Sequence, residues 1–389
     1  MKLFKWRGRI SKPEFRKRFI EATKADAPHL QVRESDKDVL DVIIEGLEID
    51  GNVIVSLHRA YAEFEKKPEA CDEILQRWVK SQQCFVRPRA VARGNIVPML
   101  KAREYLRQYH ALYDEPVAIG SSRDLLYDDY NEELIAVYVE KTEGAIHFLD
   151  VSQLATLGLT REELSKLAYR NLSASTTKRE ILSTAGVRMV SVGGNFEATM
   201  LLDDDIWLDR NLTDLDPLIV AVPDRNSLMA ATDASAASIW HFAYMARGLA
   251  VHEQYPITSK LFVRCGSRFE LLDPDDSDEA HAIPNIDVID VYTVKKTGGA
   301  TLAIVIASLL DASPRSVFRL FRKLDGYLNF IGSDSFRKEC GAPTLDNTEI
   351  ELRCHWHPHA DLLAIMETIG GYVESRGARL ALGLGEAET

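Results

Sequence analysis

The sequence lacks long apolar runs and paired cysteines. No apolar stretch approaches the roughly 18 residues that a membrane-spanning helix needs. The five cysteines (Cys71, Cys84, Cys265, Cys340 and Cys354) are scattered and form no C-x-x-C pair. An odd, scattered set argues against a disulfide framework and a cysteine zinc knuckle, so we predict reduced thiols. No apolar stretch or small-residue cleavage site follows the basic N-terminus, so we expect a cytoplasmic protein.

Nucleotide-binding and nucleophile motifs are also missing. Gly193-Gly194-Asn195 matches neither G-x-G-x-x-G nor G-x-x-x-x-G-K-[ST]. We predict a turn with Asn195 as the N-cap of the next helix, and anion binding at that N-terminus is the alternative. Ser121, Ser122 and Ser191 lie outside any G-x-S-x-G context, so no catalytic residue is predicted.

Charge is unevenly distributed along the 389 residues. The net charge of −12 opposes broad contact with nucleic acid, which needs clustered positive charge. Residues 1–20 hold eight basic groups and one acid, so they contribute +7 and the rest of the chain carries −19. Phe4, Trp6, Phe15 and Phe19 interleave these cations. The pattern favours a solvated basic arm and a helix that buries Phe15 and Phe19, with weak contact to a membrane or another anionic surface as the alternative.

Short strands and helices alternate without a regular βαβ rhythm, which predicts an α+β fold of antiparallel hairpins packed with helices. Helices are predicted over residues 13–23, 57–83 with a break at Pro68, 99–112, 160–172, 196–207, 236–248, 316–331 and 361–373. Strands are predicted over residues 30–35, 39–45, 85–90, 133–141, 145–151, 188–192, 218–222, 228–232, 261–265, 269–272, 288–294, 302–307, 349–356 and 380–384.

The acidic, apolar-free run Asp273-Pro274-Asp275-Asp276-Ser277-Asp278-Glu279 is the strongest candidate for a domain boundary. We therefore predict an N-terminal α+β region with a basic arm over residues 1–84 and an α+β domain over residues 85–272. An acidic linker over residues 273–284 and a small C-terminal ββαβα(β) module over residues 285–389 follow.

Several landmarks occur in a recognisable order. They include Tyr127-Asp128-Asp129, the paired strands after it, Asn171-Leu172, Pro223 and Pro256-Ile257-Thr258. In these landmarks the chain resembles the YtpQ-like bacterial proteins of unknown function (domain of unknown function 1444) over roughly residues 85–272. The resemblance implies a cytosolic bacterial protein without an assigned catalytic motif, and it supplies no catalytic residues. The region after residue 285 lies outside the usual extent of that family.

The most unusual local cluster is Cys354-His355-Trp356-His357-Pro358-His359. If a strand ran through His359, the three histidines would share one face and could bind zinc, nickel or copper. Pro358 is expected to end the strand and His359 precedes the next helix, which favours one buried and two exposed histidines.

Acidic residues give two weaker candidates. Tyr127-Asp128-Asp129-Tyr130 could hold a metal or a basic partner, or do acid–base work, although aspartates in a turn are the commoner explanation. Asp203-Asp204-Asp205 diverge on a helix, which favours a solvated face over a cation site.

We therefore expect a non-enzymatic protein that binds another protein, in a neutralising or scaffolding role. The alternative is a metal-binding protein or metal-dependent hydrolase that uses Cys354, His355, His357 and His359. No cofactor is predicted apart from a divalent metal under that alternative. The sequence also allows a homo-oligomer.

Overall fold

The computed structural model describes residues 10–28, 30–36, 38–45, 53–83, 91–111, 124–142, 146–176, 178–184 and 186–384. The helices are α1 (Lys12–Asp26), α2 (His58–Lys66), α3 (Cys71–Gln83), α4 (Glu104–His110), α5 (Val151–Leu157), α6 (Arg161–Ser175), α7 (Arg210–Thr213), α8 (Ala236–His252), α9 (Pro314–Ile331), α10 (Asp334–Cys340), α11 (Ala360–Ala364) and α12 (Met366–Glu374). No helix in these ranges is both long and apolar enough to cross a membrane.

The strands build four sheets. They are β1 (Gln31–Glu34), β2 (Asp41–Glu45), β3 (Val53–Ser56), β4 (Ile96–Ala102), β5 (Tyr127–Asp129), β6 (Leu134–Lys141), β7 (Ile146–Phe148), β8 (Glu180–Thr184), β9 (Val187–Ser191), β10 (Ile219–Ala221), β11 (Leu228–Ala231), β12 (Leu261–Cys265), β13 (Arg268–Leu271), β14 (Val291–Val294), β15 (Ala300–Ile306), β16 (Glu349–Cys354) and β17 (Arg379–Leu384). The strand orders are β1-β2-β3, β4-β6-β5 with β7 also on β6, β13-β12-β10-β11-β9-β8, and β14-β15-β16-β17. Antiparallel sheets with helices interspersed confirm the predicted α+β class.

Contacts between Cα atoms divide the chain into two units. The first comprises residues 1–97, 108–126 and 138–167, and the second comprises residues 98–107, 127–137 and 168–389. The predicted boundaries near residues 84, 272 and 285 do not coincide with this division. Whether the predicted regions fold independently stays a prediction.

In the first unit, α1 packs on β1 and β2 of the β1-β2-β3 sheet, and α3 packs against α1. Phe15 and Phe19 are buried there, and the Phe15 ring meets Tyr61 edge to face with the centroids 5.3 Å apart. The prediction that α1 buries these two rings is confirmed. The interleaved residues Phe4 and Trp6 lie outside the described part of the chain.

In the second unit, one hydrophobic core includes the β10-β11-β12 region, α8 and the four-stranded β14–β17 sheet. Trp240 of α8 contacts Phe321 of α9 edge to face at 5.1 Å, and it contacts Tyr372 of α12 at 5.9 Å. Helix α9 has nearly all its apolar positions buried, as its spacing predicts.

The four-stranded sheet contradicts the expectation that the chain lacks βαβ units. β14 and β15 form the predicted antiparallel hairpin, but β15, β16 and β17 are mutually parallel. The segment from β15 to β17 is therefore βαβαβ. Connections between parallel strands are right-handed in nearly all proteins, which is expected to bring α9 and α12 to the same face of this sheet. Phe321 and Tyr372 accordingly stack at 5.4 Å.

One predicted helix begins too early, and another is absent. Residues 96–102 form β4, so helix α4 begins only at Glu104. Val97 precedes Pro98, which favours extended backbone, and Ile96 to Leu100 form a buried apolar run typical of a strand. The helix predicted over residues 196–207 is replaced by two 3-10 segments, Ala198–Leu202 and Asp204–Leu208. Asp203 separates them in an extended conformation. The strand predicted over residues 85–90 lies outside the described residues.

Candidate interaction surface

Strand β14 is the most exposed strand of the C-terminal sheet. It is the edge strand in the order β14-β15-β16-β17, so within the described residues only β15 pairs with it. All four of its side chains are exposed, and Val291, Tyr292 and Val294 keep 45%, 40% and 46% of their surface. An apolar edge strand with free backbone groups is a template for pairing with another strand.

A tight glycine turn holds β14 against β15. The Lys295 N–H donates to Gly299 O at 3.0 Å, and the Gly298 N–H donates to Lys295 O at 3.0 Å. Gly298 and Gly299 have φ values of 87° and 79°, which favour glycine. A Cβ on Gly299 would lie 2.3 Å from Asn347 O, so this turn admits no side chain there.

Side chains from α9 and α10 fix the inner side of β14. Lys323 Nζ donates to Asp290 Oδ1 at 2.5 Å, and the Val305 N–H donates to Asp290 Oδ2 at 3.0 Å. The Tyr292 hydroxyl donates to Glu339 Oε2 at 2.9 Å, which raises the pKa of that phenol. The Tyr292 ring also meets Phe330 edge to face at 5.8 Å. These contacts give the strand one conformation without covering its outer edge.

The pairing with β15 determines which backbone groups point outward. In an antiparallel pair, residues alternate between bonding the neighbouring strand and pointing away from it. Lys295 bonds to Gly299, and the register pairs Thr293 with Thr301 and Val291 with Ala303. The N–H and C=O groups of Tyr292 and Val294 therefore point to the open edge.

A cleft of about 400 Å³ borders the residues that precede β14. Its apolar lining includes Ile286, Ile289, Phe318 and Phe330. Since Phe330 also contacts Tyr292, the cleft and the strand form one continuous surface. We call Val288, Val291, Tyr292 and Val294 together with this cleft the β14 surface.

The cations around the cleft are already paired. Arg247 Nε lies 2.5 Å from Asp325 Oδ1, Lys260 Nζ lies 3.0 Å from Glu133 Oε2, and Arg322 Nη1 lies 2.9 Å from Asp273 Oδ2. The cleft is therefore lined by apolar side chains together with polar ones, and its three cations each have a carboxylate partner. Because these cations are paired, the cleft disfavours a free anion, and its apolar residues could accept an apolar side chain of a partner.

The predicted metal residues lie at the carboxyl ends of the parallel strands and do not converge. Cys354 is buried, whereas His355, His357 and His359 are all exposed, so the expectation of one buried histidine is wrong. His359 Nδ1 accepts the Asp361 N–H at 3.2 Å and so caps α11. Burial raises the pKa of Cys354 to about 11, which keeps the thiol protonated near neutral pH. These residues do not form one of the compact ligand groups found in the described chain.

A second cleft of about 420 Å³ includes Cys354 and His355 in its lining. Within this cleft, Arg353 Nε donates to Glu351 Oε2 at 2.7 Å, so these two charged side chains are paired with each other. Ligand crevices in parallel sheets form where the strand order reverses, and this sheet runs β15-β16-β17 without a reversal. This cleft therefore lacks the topological position at which such crevices form.

In the predicted acidic motif, Tyr127-Asp128-Asp129-Tyr130, the contacts of Asp129 and Tyr130 stabilise the fold. Asp129 Oδ1 accepts from Arg103 at 2.8 Å on an exposed part of β5. Tyr127 and Asp128 are half-buried in the same strand. The Tyr130 hydroxyl accepts the Phe269 N–H at 3.3 Å, and burial raises the pKa of Tyr130 to about 12. A phenol with that pKa stays protonated at neutral pH, so Tyr130 is a poor base.

Asn195 does not cap a helix. It has a φ of 75°, whereas an N-cap residue is normally extended. The nearby amides are taken by Glu197, whose carboxylate accepts from Gly194 at 2.6 Å and from Val192 at 3.2 Å. Because a carboxylate already occupies this turn, the arrangement also disfavours the anion-binding alternative.

Two further groups were not found from the sequence. Burial lowers the pKa of Lys101 to about 8, with the nearby Arg225 contributing, and Lys101 Nζ lies 4.6 Å from the Tyr105 ring centroid. A lysine inside the apolar run of β4 was the available signal. Asp38, Asp41 and His58 bring ligand atoms within 4.8 Å of one another, and His58 Nε2 lies 2.9 Å from Asp38 Oδ1. Asp38 and Asp41 lie close together, just before and at the start of β2, but His58 is the first residue of α2, so no sequence spacing indicated the three together.

No protein-family model, curated protein or solved structure matches this chain in the comparisons made. The resemblance to the YtpQ-like proteins therefore stays an expectation.

Proposed function

We propose that this is a non-enzymatic protein-interaction protein that binds a partner by adding a strand to β14. The observation that carries the proposal is the open edge of β14, where Tyr292 and Val294 present unpaired backbone groups between exposed apolar side chains. Strand addition supplies affinity through main-chain hydrogen bonds and specificity through side-chain pockets. The neighbouring cleft is the pocket that such a partner would use.

The fixed geometry of β14 supports this role. Its turn glycines, the Asp290–Lys323 ion pair and the Tyr292–Glu339 hydrogen bond hold it in place before any partner arrives. A preorganised edge loses less conformational entropy on binding than a disordered segment does. The absence of a nucleophile motif and the separated histidines agree with a binding role but do not carry the proposal.

Site-specific photo-cross-linking in cells tests the proposal. A photo-reactive amino acid at Val291 of the full chain should trap a defined protein, whether another protein or a second copy. Val294→Pro should abolish the product because it removes an outward N–H, while leaving the hydrogen bonds to β15 intact. Val294→Thr keeps the N–H and is the matched control.

The same reactive group at Leu182, an exposed residue on the edge strand β8, gives a second control. It should not yield the Val291 product. A Val291 product that survives Val294→Pro, or no product at all, would rule out strand addition at β14.

A further inference from the structure

We infer that the strand added to β14 comes from a second copy of this chain, in an antiparallel pair centred on Thr293. This inference rests on the proposed function and names its partner. It follows from the outward groups, the available registers and the charges at the two ends of β14.

The backbone restricts the register. Residues directly opposite in an antiparallel pair must both point toward the partner or both point away. Tyr292 and Val294 point outward, so a pair centred on Thr293 sets Tyr292 of each copy against Val294 of the other. All outward N–H and C=O groups of both residues would then be bonded.

Neighbouring registers are poorer. Centring the pair on Tyr292 sets Val294 against Asp290, whose N–H already donates to the Tyr327 hydroxyl at 2.7 Å. Centring it on Val294 sets Tyr292 against Lys296, which lies in the turn beyond the strand. Only the Thr293-centred pair matches the free groups of one edge to those of the other.

The charges fit the same register. Asp290 precedes β14 and Lys296 follows it, so the Thr293-centred pair sets each Asp290 opposite Lys296 of the other copy. Lys296 is exposed, and within the described chain no ion pair is found for it. The carboxylate of Asp290 is oriented by Lys323 and by the Val305 N–H and keeps 24% of its side chain exposed, so Lys296 of the other copy would be a second cation beside it. Opposite charges at both ends favour this antiparallel arrangement over a shifted one.

The side chains are compatible with close approach. Tyr292 would lie beside Val294 of the other copy, and aromatic with β-branched pairs stabilise antiparallel strands. Thr293 would face Thr293 in a position without direct backbone bonds, where Cα atoms lie about 4.5 Å apart. That separation is within the range that a disulfide can bridge.

Cysteine cross-linking of the full chain tests the register. In a background with Cys84→Ser and the exposed Cys265→Ser, mild oxidation should convert most Thr293→Cys protein to a covalent dimer. Val291→Cys is the matched control, because residue 291 would face Lys295 rather than itself. We expect at least about a tenfold difference in dimer yield between the two variants. Adding Val294→Pro to Thr293→Cys should return the yield to that of Val291→Cys.

Each outcome is decisive once circular dichroism shows that the variants are folded. Equal yields from Thr293→Cys and Val291→Cys would indicate random collision and overturn the inference, as would no dimer from either. If the inference fails while Val291 still traps a different protein in a Val294→Pro-sensitive way, the proposed function stands with another partner. If that trapping fails as well, both proposals fall.

Discussion

Helix α9 contacts the acidic segment of residues 273–284 through its first half and β14 through its second half. The two regions differ in how many of their polar groups have hydrogen-bond or ion-pair partners within the chain. Asp273 and Arg319 have fully buried side chains, with Arg319 Nη1 at 2.9 Å from both carboxylate oxygens. Arg315 and Arg322 also pair with Asp273. Further toward the end of α9, Lys323 and Phe330 fix only the inner side of β14.

This difference indicates a structural role for the acidic segment and a binding role for β14. Arg319 also donates to the backbone carbonyls of Ile283, Asp275, Asp276 and Pro284, and arginines of α9 pair with the carboxylates of Asp273, Asp276 and Asp278. At the outer edge of β14, the backbone groups of Tyr292 and Val294 have no partner strand in the described part of the chain and remain available to an added strand. A segment whose polar groups are hydrogen-bonded within the chain stabilises the fold. A strand whose outer backbone groups have no partner strand can bind another strand.

The largest expected effect is the loss of the buried arginine. Arg319→Met leaves Asp273 and several carbonyls with fewer donors, so the free energy of unfolding should fall by about 3–5 kcal/mol. Chemical denaturation measures this change. Arg337→Met, which removes an exposed pair with Asp334, should cost less than about 0.5 kcal/mol. Similar costs for both would mean that the acidic segment is not anchored as described.

The turn of β14 should show the next largest effect. Gly299→Ala forces a Cβ against the Asn347 backbone at positive φ, and we expect a loss of about 2–4 kcal/mol in unfolding free energy. Gly266→Ala has a φ of 64° but open space around it, so its cost should stay near 1 kcal/mol. Equal losses in thermal or chemical unfolding would show that Gly299 is needed only for its φ.

A charge reversal at the end of β14 should affect association and leave folding unchanged. Lys296→Glu sets like charges opposite Asp290, so self-association should weaken by about tenfold at low salt, and added salt should reduce the difference. Lys295→Glu lies opposite Val291 in the proposed register and should have a smaller effect. Sedimentation equilibrium measures both variants. An equal effect of the two would argue against the Thr293-centred register.

The smallest expected effect is on the loss of folding stability at low pH. The Ala280 N–H and the Arg315 guanidinium lower the pKa of Asp278 below 3.8. Because the folded pKa is the lower one, the contribution of Asp278 to stability is present above the unfolded value and is lost as pH falls through the folded value. Stability below pH 4 should therefore decline less steeply in Asp278→Asn. An identical decline in unfolding titrations of both proteins would contradict the assignment.

Local sequence signals predicted much of the fold. Pro68 separates α2 from α3, the glycines at residues 298 and 299 close the β14–β15 hairpin, and the spacing of Val317, Leu320 and Leu324 identifies α9. Each is set by residues close in sequence. The parallel pairing of β15, β16 and β17 was missed because it depends on how helices return the chain, which short patterns do not encode.

The candidate surface was harder to predict than the fold. An acidic, apolar-free run is typical of a solvated linker, and only the arginines of α9, some forty residues later, bury Asp273. Conversely, Val-Tyr-Thr-Val reads as an ordinary hairpin strand, and its position at a sheet edge is decided by tertiary pairing. The sequence shows the charges of Asp290 and Lys296 on either side of β14. That they could pair across an added strand can be inferred only once the structure shows which edge of the sheet is open.

Amide hydrogen exchange at Tyr292 and Val294 tests the central claim most directly. The account predicts that both amides exchange slowly in concentrated protein and faster on dilution, because their N–H groups are bonded only in the pair. The amides of Val291 and Thr293, which bond to β15, should stay protected at every concentration. Rapid exchange at Tyr292 and Val294 that does not depend on concentration would contradict pairing of two copies through β14.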